Sequence, residues 1–403
     1  MTTCPYSQKK VTYLIPIKEL RTEEDFLNIH TWLADMRKNS PVRFDESRQC
    51  WDIFLYEDVD AIFRNSKEFS SVRKFHAPTP LRSILNMDPP EHTKLRKLVS
   101  KAFTPRALSK LGPRIEELSN ELIQQALPSG KIDVVNEYAY SLTINMLVNL
   151  LGVPEKDSEL FKTWSADLLA SPKDASDEAY NASVSHVKET MDKVDSYLLT
   201  IINERRESPQ EDLITELTQA EIDGEHLTDE EILDFAGILL QAGFGTTARL
   251  ITNFVRSMLE NPGLFEKLKN DSSLINPAME EVLRLYPSIY RTTRYAKESF
   301  TIRDQTIHEG DEIQLWVASA NRDEAIFDQP NTFLIDRKPN QHLAFGKGIH
   351  FCLGSSLARL EAKIAIEVFV KNVSSIQLLD TQLKPIRSMV ANGLEELNIS
   401  IQP

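Results

Sequence analysis

One stretch sets the scale of any fold this chain can adopt. Thr228-Asp-Glu-Glu231 is a capping box, in which Thr and the Glu three residues on satisfy each other's backbone N–H groups. From it a helical apolar period runs to about Glu260, where Asn261-Pro262-Gly263 stops it. At about 1.5 Å per residue this helix is about 50 Å long, enough to cross a whole domain. Most of the region from Glu91 to Met279 also reads at helical period, with breakers at Pro105, Pro128-Ser-Gly130, Pro154 and Ser171-Pro172. Strand-like alternation is confined to Arg48–Leu55 and Phe300–Val317, the latter broken by turns at Asp304 and Gly310-Asp311. No breaker is a long flexible linker, so the expectation is one mainly α domain, residues 1–403, with small β-sheets.

In the middle of the long helix stands Ala242-Gly243-Phe244-Gly245-Thr246-Thr247. Two glycines inside a helix cost about 1 kcal/mol each against alanine, so something must favour them. One explanation is close helix packing. The other is a local widening beside a bound ligand, to which Thr246 offers its hydroxyl.

The second informative stretch is Phe345-Gly-Lys-Gly-Ile-His-Phe-Cys352-Leu-Gly354, just ahead of the apolar helix pattern Leu357, Leu360, Ile364, Val368. A thiol at a helix N-terminus meets the positive end of the macrodipole and unpaired N–H groups. Both favour thiolate, the form that binds a soft metal or attacks an electrophile. Gly346, Gly348 and Gly354 permit conformations and close approach that a Cβ would block, so a flat ligand could lie against the loop. Read alone, a lone Cys is more often a small buried residue beside an ordinary turn.

Composition excludes several classes. A formal charge of −14 argues against a nucleic-acid binder, which carries a basic stripe. Cys4, Cys50 and Cys352 are widely spaced and odd in number, no disulfide framework, and they fit a reducing cytosol. Met1–Leu14 lacks the apolar core of a signal peptide, and the most apolar segment, around Phe235 to Leu240, is far short of the roughly 20 residues of a membrane span. A soluble, cytoplasmic protein is expected. No flavin or iron–sulfur fingerprint appears, so electrons for redox chemistry must come from another protein.

The full pattern Phe-x-x-Gly-x-x-x-Cys-x-Gly resembles the haem-ligand loop of the cytochromes P-450. With it, Ala242–Thr247 resembles the oxygen-binding groove of that family's long central helix. Met87-Asp-Pro-Pro-Glu-His92-x-x-x-Arg96 through Phe103-Thr-Pro105 looks like its C helix, where Asp88 caps, Pro89 suits the first turn and Glu91 completes a capping box. His92 and Arg96, four apart on one face, read as plain surface or, over a haem, as a propionate clamp. Glu281-Val-Leu-Arg284 and Arg337, in Phe333-x-x-x-Arg337-x-Pro339-Asn340, look like the Glu-x-x-Arg motif and its meander arginine, a triad for folding and haem retention. Arg294 and His350 match further propionate partners, and Phe345 and Gly354 belong to the haem loop.

The resemblance covers nearly the whole chain in order. It implies the P-450 fold, haem b (iron protoporphyrin IX) with Cys352 as axial thiolate, and insertion of one oxygen atom from O2 into a lipophilic small molecule such as a fatty acid, steroid, terpenoid or polyketide. Thr246, with Thr247 beside it, would orient dioxygen and water. Electrons would come from NAD(P)H through a ferredoxin or flavodoxin with its reductase, docking on a basic patch of Lys94, Arg96, Lys97, Lys101 and Lys347. By the same analogy, pocket candidates are Ile84, Leu85, Leu239, Phe244, Ser288, Ile289, Tyr290 and Val390 to Leu394, and Leu168–Ala182 joins two lid helices. Arg291 is open between meeting a substrate carboxylate and lying at the surface.

One departure stands out: the family usually has Asp or Glu directly before the threonine, and this chain has Gly245. Water-only proton relay, a substrate group that helps, and reduced coupling all remain open. So do a peroxide-driven haem-thiolate enzyme and a non-enzymatic haem sensor. The direction of Arg249, less than one turn on, does not follow from the sequence.

Overall fold

The computed structural model describes residues 12, 15, 17–72, 83–103, 108, 110–169, 176–222 and 224–403. Cys4, Thr104-Pro105, Ser171-Pro172, part of the Leu168–Ala182 segment and the Lys101 side chain lie outside the described residues. Contacts divide the chain into two compact units. One gathers described residues within Met1–Ile15, Ser70–Ala107 and Ile144–Phe244; the other gathers those within Pro16–Phe69, Leu108–Thr143 and Gly245–Pro403.

The long helix runs without a break over Asp229–Glu260. It starts where the capping box predicts: Glu231 N–H donates to Thr228 Oγ1 at 3.2 Å, and Thr228 N–H donates to Glu231 Oε2 at 2.9 Å. It stops because Gly263 takes a left-handed φ of 80° and opens the next helix, Leu264–Asn270. The helix Glu91–Ala102 follows Pro90, and the His92 N–H donates to the Asp88 carbonyl at 3.0 Å. The Asp88 carboxylate also accepts from Ser70 Oγ at 2.7 Å and Ser71 N–H at 2.9 Å, tying two segments together.

In the second unit, strands Val42–Asp45, Cys50–Ile53, Glu312–Leu315 and Thr292–Ala296 lie side by side in that order. Strand Cys50–Ile53 is paired antiparallel on one side and parallel on the other, and all four of its residues are buried. The alternation over 300–317 resolves into three short strands separated by left-handed Arg303-Asp304 and Gly310, and it ends in a helical turn, Val317–Ala320. A core of Ile53, Val59, Ile62, Phe63, Ile313 and Leu315 packs on this sheet. The last helix, Ser355–Asn372, lies along Gly112–Ala126, with Ile364 Cδ1 in van der Waals reach of Gly112.

Among the described residues no helix is long and apolar enough to cross a membrane.

Candidate functional site

The cysteine loop is built by its glycines. Gly346 and Gly348 both take left-handed φ, 67° and 69°, and a Cβ on Gly348 would collide with the Phe63 carbonyl oxygen. Gly354 is different, since a Cβ there would meet nothing within 4 Å. It leaves open space beside Cys352 and precedes the first turn of the helix from Ser355. Cys352 is half-buried, and its N–H donates to the Phe345 carbonyl at 2.9 Å, so the first residue of the loop fixes the cysteine.

Behind the loop sits a buried ion triad. Glu281 and Arg284 are both fully buried on the helix Ile275–Leu285 and pair bidentately, at 2.8 and 2.7 Å. Arg337 Nε reaches both Glu281 oxygens at 3.1 Å. Leu334 N–H and Asn340 Nδ2 complete the carboxylate's partners, while Arg284 and Arg337 spend their other donors on carbonyls of Asn321, Asp328, Gln329, Pro330 and Thr332. Burial pushes the Glu281 carboxyl up, but Arg284, Leu334 and Arg337 together hold it below the usual range. Each charge is thus compensated, as buried ions require.

Next to it lies a second cluster that sequence reading missed. Glu280 takes Arg359 at 2.7 and 2.9 Å and His342 Nε2 at 2.9 Å, and the Arg359 guanidinium lies 4.4 Å over the Phe345 ring. Glu280, beside Glu281 in sequence, was the one available signal.

The glycines of the central helix do not serve close packing. A Cβ on Gly243 would meet Leu147 at an ordinary 3.6 Å, and the nearest atoms to one on Gly245 belong to Arg249, whose Nη1 lies 3.4 Å away. Arg249 therefore folds back over Gly245. It passes Gly393, where a Cβ would be 2.8 Å from its Cδ, and ends 3.5 Å from the Tyr140 hydroxyl. Ser288 Oγ donates to the Thr246 carbonyl at 2.7 Å. Thr246 is half-buried, Thr247 is buried, and Ala242 is exposed.

The cation candidates separate from the surface reading. In the first unit His92 is 2% exposed and Arg96 half-buried, on the inward face of Glu91–Ala102. In the second, Arg294 is buried with its guanidinium 5.4 Å over Phe63 and Nη1 donating to the Thr293 carbonyl, and His350 is half-buried in the loop. Arg291 is not at the surface. It is 2% exposed, donates to the Met389 carbonyl at 2.9 Å, bonds Gln314, and lies 5.5 Å over Trp316. Burial, then Arg48, pulls its pKa down to about 10.

The pocket candidates divide similarly. Ile84 and Phe244 are buried, Leu85 exposed, and Leu239, Ile289 and Val390 half-buried. Tyr290 is buried in a core cluster with Ile17, Phe26, Leu33 and Trp316. Of the basic residues, Lys94 is paired with Glu225 at 2.6 Å and Lys97 is exposed in the first unit, and Lys347 is half-buried in the second.

Comparison with known proteins gives the same direction as this geometry. The family model Cytochrome P-450 matches residues 5–400. Cytochrome P-450 109 of Bacillus spizizenii is 41% identical over 399 residues, covering 98% of this chain and 98% of that protein. The crystal structure of CYP109B1 from Bacillus subtilis superposes with a TM-score of 0.86 at 40% identity, covering 95% of this chain and 100% of that one. CYP109E1 from Bacillus megaterium, solved in complex with testosterone, has a TM-score of 0.84 at 37% identity, over 92% of this chain and 98% of that one. The chain has the P-450 fold and belongs to the cytochrome P-450 family of haem-thiolate monooxygenases.

Proposed function

We propose that this chain is one catalytic domain that hydroxylates or epoxidises a lipophilic small molecule, steroids first, with electrons from a ferredoxin or flavodoxin and its NAD(P)H reductase. The observation that carries the proposal is the Cys352 loop, with two left-handed glycines, a half-buried thiol before a helix, and open space at Gly354. These residues fit haem b: a flat ring needs a cradle free of Cβ atoms, and the donor set is one soft thiol with cationic side chains. Cys352 would hold the iron; His92, Arg96, Arg294 and His350 would hold the propionates. When bound, haem supplies the oxidising chemistry.

The protein's own steps are binding, orientation and proton delivery. Thr246 presents its hydroxyl to a water and passes protons from it, with Thr247 behind it and no carboxylate at Gly245. Ile84, Leu239, Phe244, Ile289 and Val390 supply apolar surface, which suits a steroid-like substrate, as does the testosterone bound by CYP109E1. Widely spaced cysteines suit a cytoplasmic setting.

A second reading, peroxide-driven oxidation, is favoured by one observation: the guanidinium of Arg249 lies where the family's acid would project. The test is turnover of a steroid and fatty-acid panel under labelled O2 with a surrogate ferredoxin and reductase. One labelled oxygen in the product supports monooxygenation. Turnover with peroxide alone, and none with the reductase, supports the second reading.

A further inference from the structure

We propose that Arg359 and Glu280 are positioning residues for the Cys352 sulfur, acting through Phe345; this rests on the haem-thiolate reading. The sulfur is placed by its own backbone, and that backbone is tied to Phe345, whose carbonyl accepts the Cys352 N–H at 2.9 Å. Whatever fixes Phe345 therefore fixes the sulfur. The Arg359 guanidinium carbon lies 4.4 Å from the centroid of the Phe345 ring, inside the reach of a cation–π contact.

Arg359 has little freedom of its own. Glu280 takes it with both oxygens, Nε at 2.7 Å and Nη2 at 2.9 Å, the planar fork that lysine cannot copy. The same carboxylate reaches His342 Nε2 at 2.9 Å, and His342 Nδ1 accepts the Ala344 N–H at 3.2 Å. An accepting Nδ1 puts the neutral ring's proton on Nε2, directed at Glu280. One carboxylate thus grips the segment entering the loop, through His342, and the helix leaving it, through Arg359.

The clamp is distinct from the Glu281 triad. Glu281 holds the meander through Arg337, Leu334 and Asn340, and none of those touches the Phe345 ring among the contacts described. Adjacent carboxylates on one helix thereby serve two jobs: Glu281 holds the fold, and Glu280 aims the ligand loop. Support for a ligand from outside the metal's own shell is a general feature of metal sites, and its loss typically costs about 10- to 100-fold in affinity or activity.

The test uses the haem-loaded full chain and its Arg359→Met, Arg359→Lys and Glu280→Gln variants. Tyr138→Phe serves as a structural control; it removes buried hydrogen bonds to Ser119 and to the Ala365 carbonyl, and among the contacts described Tyr138 touches none of Glu280, Arg359 and Phe345. Ferric low-spin resonance and the carbon monoxide band of the reduced protein are read at a temperature where all are folded. Arg359→Met is expected to shift the resonance and to lose its thiolate band about 10-fold faster than the parent, at the lower end of that range. Arg359→Lys, which keeps a charge pair and loses the planar fork to Glu280, should shift in the same sense by less. If Arg359→Met does not fold, Arg359→Lys and Glu280→Gln carry the comparison. Variants whose resonance and band decay match the parent, or match Tyr138→Phe, overturn the proposal. A parent without a thiolate band overturns the haem-thiolate reading instead.

Discussion

Arg249 lies over Gly245, its Nη1 3.4 Å from where a Cβ on the glycine would stand. The two residues are four apart on one helix, the spacing at which an acid followed by an arginine pairs well. Restoring the family's acid at 245 therefore creates an ion pair before it creates a proton donor. Gly245→Asp alone should leave turnover and the fraction of electrons lost as peroxide within about twofold of the parent, since the pair neutralises the new carboxylate. Gly245→Asp with Arg249→Asn should raise turnover about 10-fold, a modest share of what a positioned acid supplies. Product and peroxide, measured together, check both; a full gain from Gly245→Asp alone would contradict the pairing.

The buried triad gives the largest stability effect. Glu281→Gln leaves the guanidinium of Arg284 buried without its charge partner, and breaking such a pair costs about 3–5 kcal/mol. Chemical unfolding of the variant should show a loss of this size, with haem content falling in parallel. A loss under about 1 kcal/mol would mean the carbonyl partners alone hold Arg284.

Acid sensitivity follows from Glu280. Burial raises its carboxyl, but Arg359 and His342 outweigh that and lower it from 4.5 to about 2. Because the folded value is lower, its contribution is fully present above about pH 4.5 and is lost as pH falls toward 2. Glu280→Gln should therefore lower the melting temperature at pH 7 and converge on the parent as pH approaches 2. A constant difference across that window would remove Glu280 as the titrating group.

Electron delivery should depend on Lys97 more than on Lys94, which Glu225 already neutralises. Lys97→Glu is expected to slow reduction by an acidic carrier several-fold at low salt, with the difference shrinking as salt screens it. Lys94→Glu should have a clearly smaller effect, and stopped-flow reduction across salt concentrations separates the two.

What the sequence made legible was local. The Thr228 capping box, the Gly263 stop and the Gly346 and Gly348 turns each depend on residues a few positions apart, and each stands as read. The long-range partners were not legible. Glu280 meets Arg359 across 79 positions, and Arg249 meets Gly393 from another part of the chain. Arg291, at a helix exit, gave no sign of its burial or of its core partners Gln314 and Met389. Nor did the Asp88 pattern show that its carboxylate takes Ser70 and Ser71, 17 to 18 positions back.

The most direct test of the central claim is the absorption of the dithionite-reduced protein under carbon monoxide, for the parent and for Cys352→Ser. Thiolate ligation by Cys352 predicts a strongly red-shifted Soret band in the parent that Cys352→Ser abolishes. A parent band at the ordinary imidazole-like position, or a red-shifted band that survives Cys352→Ser, would contradict it.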